Sequence, residues 1–257
     1  GLAALRTDRA IETVEPEVIL ELPQPVDVSE PVSTTHATPS SPSDPTAAWA
    51  YARQWNMRAI GADAAWAAGY LGSSDVTVAI LDTGIGYTHE DLVGLVDLSR
   101  SISFVPDDDA YVNAYFPGAH PIADIGYHGT HVAATVASNG YNAAGVTSRT
   151  TLMGVKVCSV ATGGCPGGAI FAGIEHAVDN GADVINMSLG GAFQKRSYPG
   201  YVSVINRLFN YAHQNNVTVV VSAGNEAIDL DHDLVPLYDE EDKYLSLIHI
   251  SEPTRLR

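Results

Sequence analysis

The chain has 257 residues, 46% of them hydrophobic, which is enough apolar material for one large α/β domain or two small ones. Thirteen basic residues against thirty acidic ones give a net charge of −17, which argues against nucleic acid or an anionic membrane surface as a partner. No apolar run approaches the roughly 18 residues of a spanning helix, and the acidic balance suits a protein of an external medium.

Residue 1 is a glycine and no charged-then-apolar leader follows it, so a secretory leader is expected upstream. Residues 1–20 read as the end of an earlier module, with Val18-Ile19-Leu20 as a strand leaving it. Residues 21–47 are rich in Pro, Ser and acid without apolar periodicity, the composition of a solvated linker. Globular character begins near Trp49. Continuous apolar runs at residues 76–81, 151–157, 182–189 and 217–222 read as strands buried on both faces of a parallel sheet. Helical patterns at residues 131–138, 169–180 and 202–215 alternate with them. Gly181 and Asn215-Asn216 stand where C-caps belong. Strand alternating with helix over residues 48–244 predicts an α/β fold with a doubly wound parallel sheet, which binds ligands at the carboxyl ends of its strands. Residues 245–257 break this pattern. Leu245-Ser246-Leu247-Ile248-His249-Ile250-Ser251-Glu252-Pro253-Thr254-Arg255 resembles the translation of a sequencing adapter and is expected to be foreign to the fold.

Three short words fall at or just past the strand ends: Leu81-Asp82-Thr83-Gly84, His128-Gly129-Thr130-His131 and Ala223-Gly224-Asn225. In that order they offer an acid, a base and an amide donor, most of the parts of an acyl-transfer site. Each word alone has other readings. An Asp-Thr-Gly serves aspartic proteases, which need a second copy that is absent here, or merely caps a turn. Two histidines three apart can be metal ligands, but neither a general-base Glu nor a third ligand accompanies them. With Asp82 upstream, acid–base chemistry is the reading for His128. A carboxylate on one ring nitrogen fixes the tautomer and stabilises the imidazolium. The two cysteines, Cys158 and Cys165, bracket a Gly pair that could fold the thiols together. Two independent thiols are the alternative, and no neighbouring Cys or His completes a zinc set.

The three words resemble the subtilisin-like serine proteases, the subtilase family, over about residues 55–225. Framework stretches share the likeness: Trp55-Asn56-Met57-Arg58-Ala59-Ile60-Gly61-Ala62 with Ala65-Trp66, Val155-Lys156-Val157, and Val184-Ile185-Asn186-Met187-Ser188-Leu189-Gly190-Gly191. The resemblance implies a secreted, monomeric serine endopeptidase that acts on polypeptides through an acyl-enzyme and needs no cofactor beyond possible structural calcium. In it Asp82 orients, His128 is general base then acid, and Asn225 donates to the oxyanion. Ser188, Leu189 and Gly190 would pair with extended substrate, and Ser222, Ala223 and Gly224 would wall the primary specificity pocket. The segment up to Pro16 would end an inhibitory propeptide that acts intramolecularly, with the maturation cleavage inside residues 21–47.

The chain departs from the family pattern at several points. Residues 104–124 are an insertion rich in Asp, Tyr and Pro. The loop Asn139-Gly140-Tyr141-Asn142 is shorter than the calcium loop of many relatives, although Asp91 matches a family calcium ligand. Asp229, Asp231 and Asp233 alternate in an acidic loop that could hold calcium or simply be solvated. No Gly-Thr-Ser turn follows Asn225, so the triad's nucleophile is missing. These residues are expected to be inactive by themselves, with a sheet incomplete at its C-terminal side. A non-catalytic binding module on the same fold is the alternative, and metal-dependent hydrolysis through the histidines a remote third.

Overall fold

The computed structural model describes residues 14–22, 44–193, 198–225 and 245–246. Among these described residues nine strands are placed: β1 (Ile19–Glu21), β2 (Thr77–Asp82), β3 (Ile102–Ser103), β4 (Thr151–Lys156), β5 (Gly164–Pro166), β6 (Val184–Met187), β7 (Ala192–Phe193), β8 (Thr218–Val221) and β9 (Leu245–Ser246). Six α-helices accompany them: α1 (Trp55–Ala59), α2 (Ala62–Ala67), α3 (Pro106–Tyr115), α4 (His128–Val136), α5 (Gly167–Asp179) and α6 (Pro199–Gln214).

The expected doubly wound sheet is there. Five strands run parallel in the order β3-β4-β2-β6-β8, with β2 at the centre. All six residues of β2 are buried, as a strand covered on both faces requires. Side chains alternate across it. Ala79 and Leu81 join Met153, Val155, Ile170, Ile174, Ile185 and Ile205 on the face covered by α5 and α6. Val78 and Ile80 pack with Leu152, Ile85, Leu92, Ile122, Ala133 and Ala137 on the face covered by α4. A smaller cluster of Ala48, Met57, Ala62, Trp66, Leu71 and Ala144 anchors the start of the globular region.

Both long helices end at the residues anticipated. At α5, Ala182 N donates to Ala177 O and Gly181 N to Val178 O, with Gly181 at φ +76°. At α6, Val217 N donates to Ala212 O and Asn216 N to His213 O, with Asn216 at φ +61°. These are paired Schellman bonds, and they turn each helix straight into the following strand.

Three elements add to the sequence reading. The insertion contains a helix. Its Pro106 opens α3, where a missing N–H costs nothing, and three aspartates fill the first turn. α4 begins at His128, three residues earlier than the apolar pattern, because its first turn carries site residues rather than core. The N-terminal strand packs on the domain: β1 lies antiparallel on β5, with Leu20 opposite Cys165. Leu20 is almost wholly buried and belongs to the α5/α6 core, so its neighbourhood rather than its Pro-rich surroundings fixes it. β9, within the stretch expected to be foreign, pairs antiparallel with β7, while residues 247–257 lie outside the described residues. Among the described residues no helix is long and apolar enough to cross a membrane.

Candidate active site

Asp82 closes β2 with its carboxylate fully buried. Its Oδ1 accepts from Thr83 N at 2.7 Å and lies 2.7 Å from His128 Nδ1, while no donor among the described residues reaches Oδ2. Glycines make this approach possible. Gly84 turns the chain at φ +115°, where a Cβ would strike the Ile122 carbonyl. At Gly129 a Cβ would strike the Gly84 carbonyl and crowd the Asp82 side chain. The Gly inside His-Gly-Thr-His therefore lets the first turn of α4 sit directly on the end of β2.

The His128 side chain is 25% exposed, whereas that of Asp82 is fully buried. Hydrogen bonding to Asp82 raises its pKa above 6.5 against the opposing effect of burial, and the charges of Asp82 and Asp124 add to the rise. The pair is thus arranged for an imidazole that takes up a proton and keeps the cation stabilised. His131 is exposed and lies off this contact. Among the described residues no group of three or more His, Cys, Asp or Glu is placed to hold a metal.

The other anticipated residues fall into two groups. Ser188, Leu189 and Gly190 follow β6, and Ser222, Ala223 and Gly224 follow the neighbouring β8. The structure brings them together: Ser222 N donates to Met187 O at 3.1 Å and Ser222 Oγ to Leu189 O at 3.0 Å. Asn225 lies four residues past the end of β8 and is exposed. Gly190 pairs with an extended segment of the same chain. Glu21 N donates to Gly190 O at 2.8 Å and Gly190 N to Glu21 O at 3.1 Å. β1 thus lies between β5, with which it forms a two-stranded antiparallel sheet, and Gly190, which it meets in a single antiparallel bridge.

The buried Asp91 carboxylate accepts from the backbone N–H groups of Tyr141, Asn142 and Ala143 in the short loop. Asp229, Asp231 and Asp233 lie outside the described residues. The cysteines are joined, with the Cys158 and Cys165 sulfurs 2.06 Å apart, and the loop they close leads into β5.

Sequence reasoning overlooked three carboxylates. Asp124 sits before α4 and accepts five hydrogen bonds around its start. Glu15 accepts from Gly200 N and Tyr201 N at the start of α6, and Glu17 from Gly168 N at the start of α5. The local signal for Asp124 was an acid four residues ahead of a helix-opening histidine. For Glu15 and Glu17 no local signal exists, since each caps a helix more than 150 residues away.

The chain matches the model of the Subtilase family (Peptidase_S8) over residues 73–249. It belongs to that family. The Minor extracellular protease Vpr of Bacillus subtilis (strain 168) is 37% identical over 171 residues, which cover 65% of this chain and 19% of that protein. The Major intracellular serine protease of the same organism is 36% identical over 172 residues, covering 66% of this chain and 49% of that one. This chain therefore spans half or less of those two relatives. Among solved structures, fervidolysin from Fervidobacterium pennivorans, a keratinolytic enzyme related to subtilisin, is 26% identical with a TM-score of 0.56. The match covers 82% of this chain and 31% of that one. The nisin leader peptidase NisP from Lactococcus lactis is 25% identical with a TM-score of 0.54, covering 72% and 53%.

Proposed function

We propose that this chain carries the acid, base and oxyanion donor of a secreted serine endopeptidase that hydrolyses polypeptides through an acyl-enzyme. The observation that carries the reading is the 2.7 Å contact between buried Asp82 and His128 Nδ1 in a subtilase-family chain. Asp82 fixes the tautomer, leaving Nε2 to take the proton of a serine hydroxyl and later return it to the leaving amine. Asn225 donates to the oxyanion, Gly190 pairs with the substrate backbone, and Ser222, Ala223 and Gly224 wall the first specificity pocket. No serine, threonine or cysteine among the described residues hydrogen-bonds to Nε2. Since no Gly-Thr-Ser follows Asn225, these 257 residues alone are expected to show only residual hydrolysis.

The N-terminal segment is the protein's own inhibitor in this reading. Its support is the substrate-like pose of β1 between β5 and Gly190, with Glu15 and Glu17 set on two helix starts. The cleavage that would free it falls in residues 21–47, of which residues 23–43 lie outside the described residues.

The test is His128→Ala in the protease with its serine in place. Peptide hydrolysis and labelling by a serine-directed phosphonate are expected to vanish while folding persists. Near-normal turnover, with His131→Ala dead instead, would reverse the assignment. Peptide binding without phosphonate labelling in the unmutated protein would favour a binding module.

A further inference from the structure

We propose that Asp124 is a positioning residue for His128: its carboxylate sets the start of α4 and ties that helix to the strand end bearing Asp82. The proposal rests on the reading of His128 as general base. The geometry is a closed ring. Asp124 Oδ1 accepts from Thr83 Oγ1 at 2.9 Å, Gly126 N at 2.8 Å and Tyr127 N at 3.0 Å. Its Oδ2 accepts from Thr130 N at 2.9 Å and Thr130 Oγ1 at 2.5 Å. Each threonine hydroxyl is used twice. Thr83 Oγ1 also accepts from Gly129 N at 2.9 Å, and Thr130 Oγ1 from Gly86 N at 2.9 Å.

Thr83 is the residue after Asp82 and its own N–H holds Asp82 Oδ1, so the ring runs from Asp82 through Thr83 and Asp124 to the α4 start and back through His128. Rotation or translation of α4 against β2 would break several of these bonds at once. That restricts the imidazole to one approach.

Tyr127 shows the same constraint from the backbone side. It occupies the N-cap position of α4 at φ +64°, a left-handed conformation rare for a large side chain, and it makes no side-chain cap bond. Asp124 supplies the missing cap from four residues upstream of His128, accepting N–H groups that the helix leaves open. The carboxylate also faces the positive end of the α4 dipole. The charged groups that act on the imidazole are Asp82 on β2 and Asp124 on the loop before α4. Lys156 on β4 acts with Asp124, Asp108 and Asp109, and His131 on α4 itself is exposed.

The experiment is an NMR titration of His128 in this chain, unmutated and as Asp82→Asn, Asp124→Asn and Asp108→Asn. Asp108 serves as the control because it is a buried carboxylate at another helix start that accepts three hydrogen bonds and does not touch His128. The His128 midpoint is expected to fall most in Asp82→Asn, less in Asp124→Asn, and not at all in Asp108→Asn. In the complete protease, Asp124→Asn is expected to lose about 10- to 100-fold in kcat with KM little changed. Should Asp124→Asn not fold, Thr130→Val decides: it keeps the charge and removes the hydroxyl that bonds both Asp124 Oδ2 and Gly86 N, so kcat falls and the midpoint stays. An unchanged kcat in Thr130→Val, or an Asp124→Asn variant indistinguishable from Asp108→Asn, overturns the proposal. If Asp82→Asn leaves the midpoint in place, the base assignment fails rather than this inference.

Discussion

Asp124 and Asp108 are the same device used in two regions, and the comparison separates the candidate site from the architecture around it. Both precede or open a helix and both collect hydrogen bonds from another part of the chain. Asp124 works on the helix that carries His128. Asp108, in the first turn of α3, reaches outward: it accepts from Ser159 Oγ at 2.9 Å, Val160 N at 3.1 Å and Ala161 N at 3.3 Å. Those donors belong to the loop closed by Cys158 and Cys165, which leads into β5. The inserted helix thus props up the edge that receives β1. Asp108 is fully buried with Lys156, whose Nζ lies 3.8 Å away and donates to Ala123 O at 2.8 Å. Burial pushes the lysine pKa below its ordinary value, opposed by the charges of Asp108, Asp109 and Asp124.

The sharpest way to break this division is on the catalytic side. Asp82→Asn in the complete protease is expected to lower kcat by about 10⁴, a magnitude known from an unrelated serine-protease fold, with little change in KM. The pH profile should move with it. Because His128 sits above 6.5 in the folded chain, the neutral base forms only as pH rises through that higher value, so kcat/KM climbs there. The ion pair's contribution to stability runs the opposite way. It is complete below about pH 6.5 and is lost as pH rises through the folded midpoint. Asp82→Asn should shift both curves to lower pH. A profile that does not move removes Asp82 from the site.

On the architectural side, Asp108→Asn leaves Lys156 buried without its nearest counter-ion and weakens the hold on the loop. Removing one partner of a buried pair costs about 3–5 kcal/mol, read as a lowered Tm or denaturation midpoint, with the His128 titration unmoved. An unchanged midpoint of unfolding would mean that Lys156 has found another partner and that α3 does not brace the loop. The disulfide is the next smaller brace. A bridge closing so short a loop contributes about 2–3 kcal/mol on the chain-entropy model, and Cys158→Ser with Cys165→Ser should lose that much. Hydrogen exchange at Gly164 and Cys165 should rise in the same variant. If exchange is unaltered, the hold of Asp108 on the loop suffices without the bridge.

What the sequence disclosed divides along the same line. The sheet, its helices and both Schellman ends were legible because apolar runs and helix-ending Gly and Asn residues are local signals. Asp82 and His128 were legible because strand ends and the His-Gly-Thr-His word mark them. Asp108 and Asp124 were hidden in a stretch whose acids and prolines read as insertion, since their partners lie in other elements. Asp91 shows the converse. Its surroundings matched a metal ligand, and three backbone N–H groups from the shortened loop bond its oxygens. The pose of β1 was illegible for the same reason as Glu15 and Glu17, because nothing near them in sequence names the helices they meet.

Those two glutamates extend the comparison to a third, solvent-facing instance and give the smallest expected effect. Glu15 is half-buried and Glu17 exposed, so each carboxylate works on its helix start through water-screened charge and one or two N–H bonds. Interactions of this kind contribute about 0.3–1 kcal/mol each and weaken with salt. Glu15→Gln and Glu17→Gln keep an acceptor oxygen but remove the charge. Each should loosen residues 14–22 slightly from β5 and Gly190, seen as faster amide exchange in β1 and earlier proteolytic nicking of the segment. The double variant should show roughly the sum, because the two carboxylates cap different helices. Adding salt should shrink the difference between variants and the unmutated chain, whereas the Asp108→Asn loss, sealed from solvent, should persist. An effect of Glu15→Gln as large and as salt-resistant as that of Asp108→Asn would show that burial is not what ranks these carboxylates, and the comparison between the two regions would lose its physical basis.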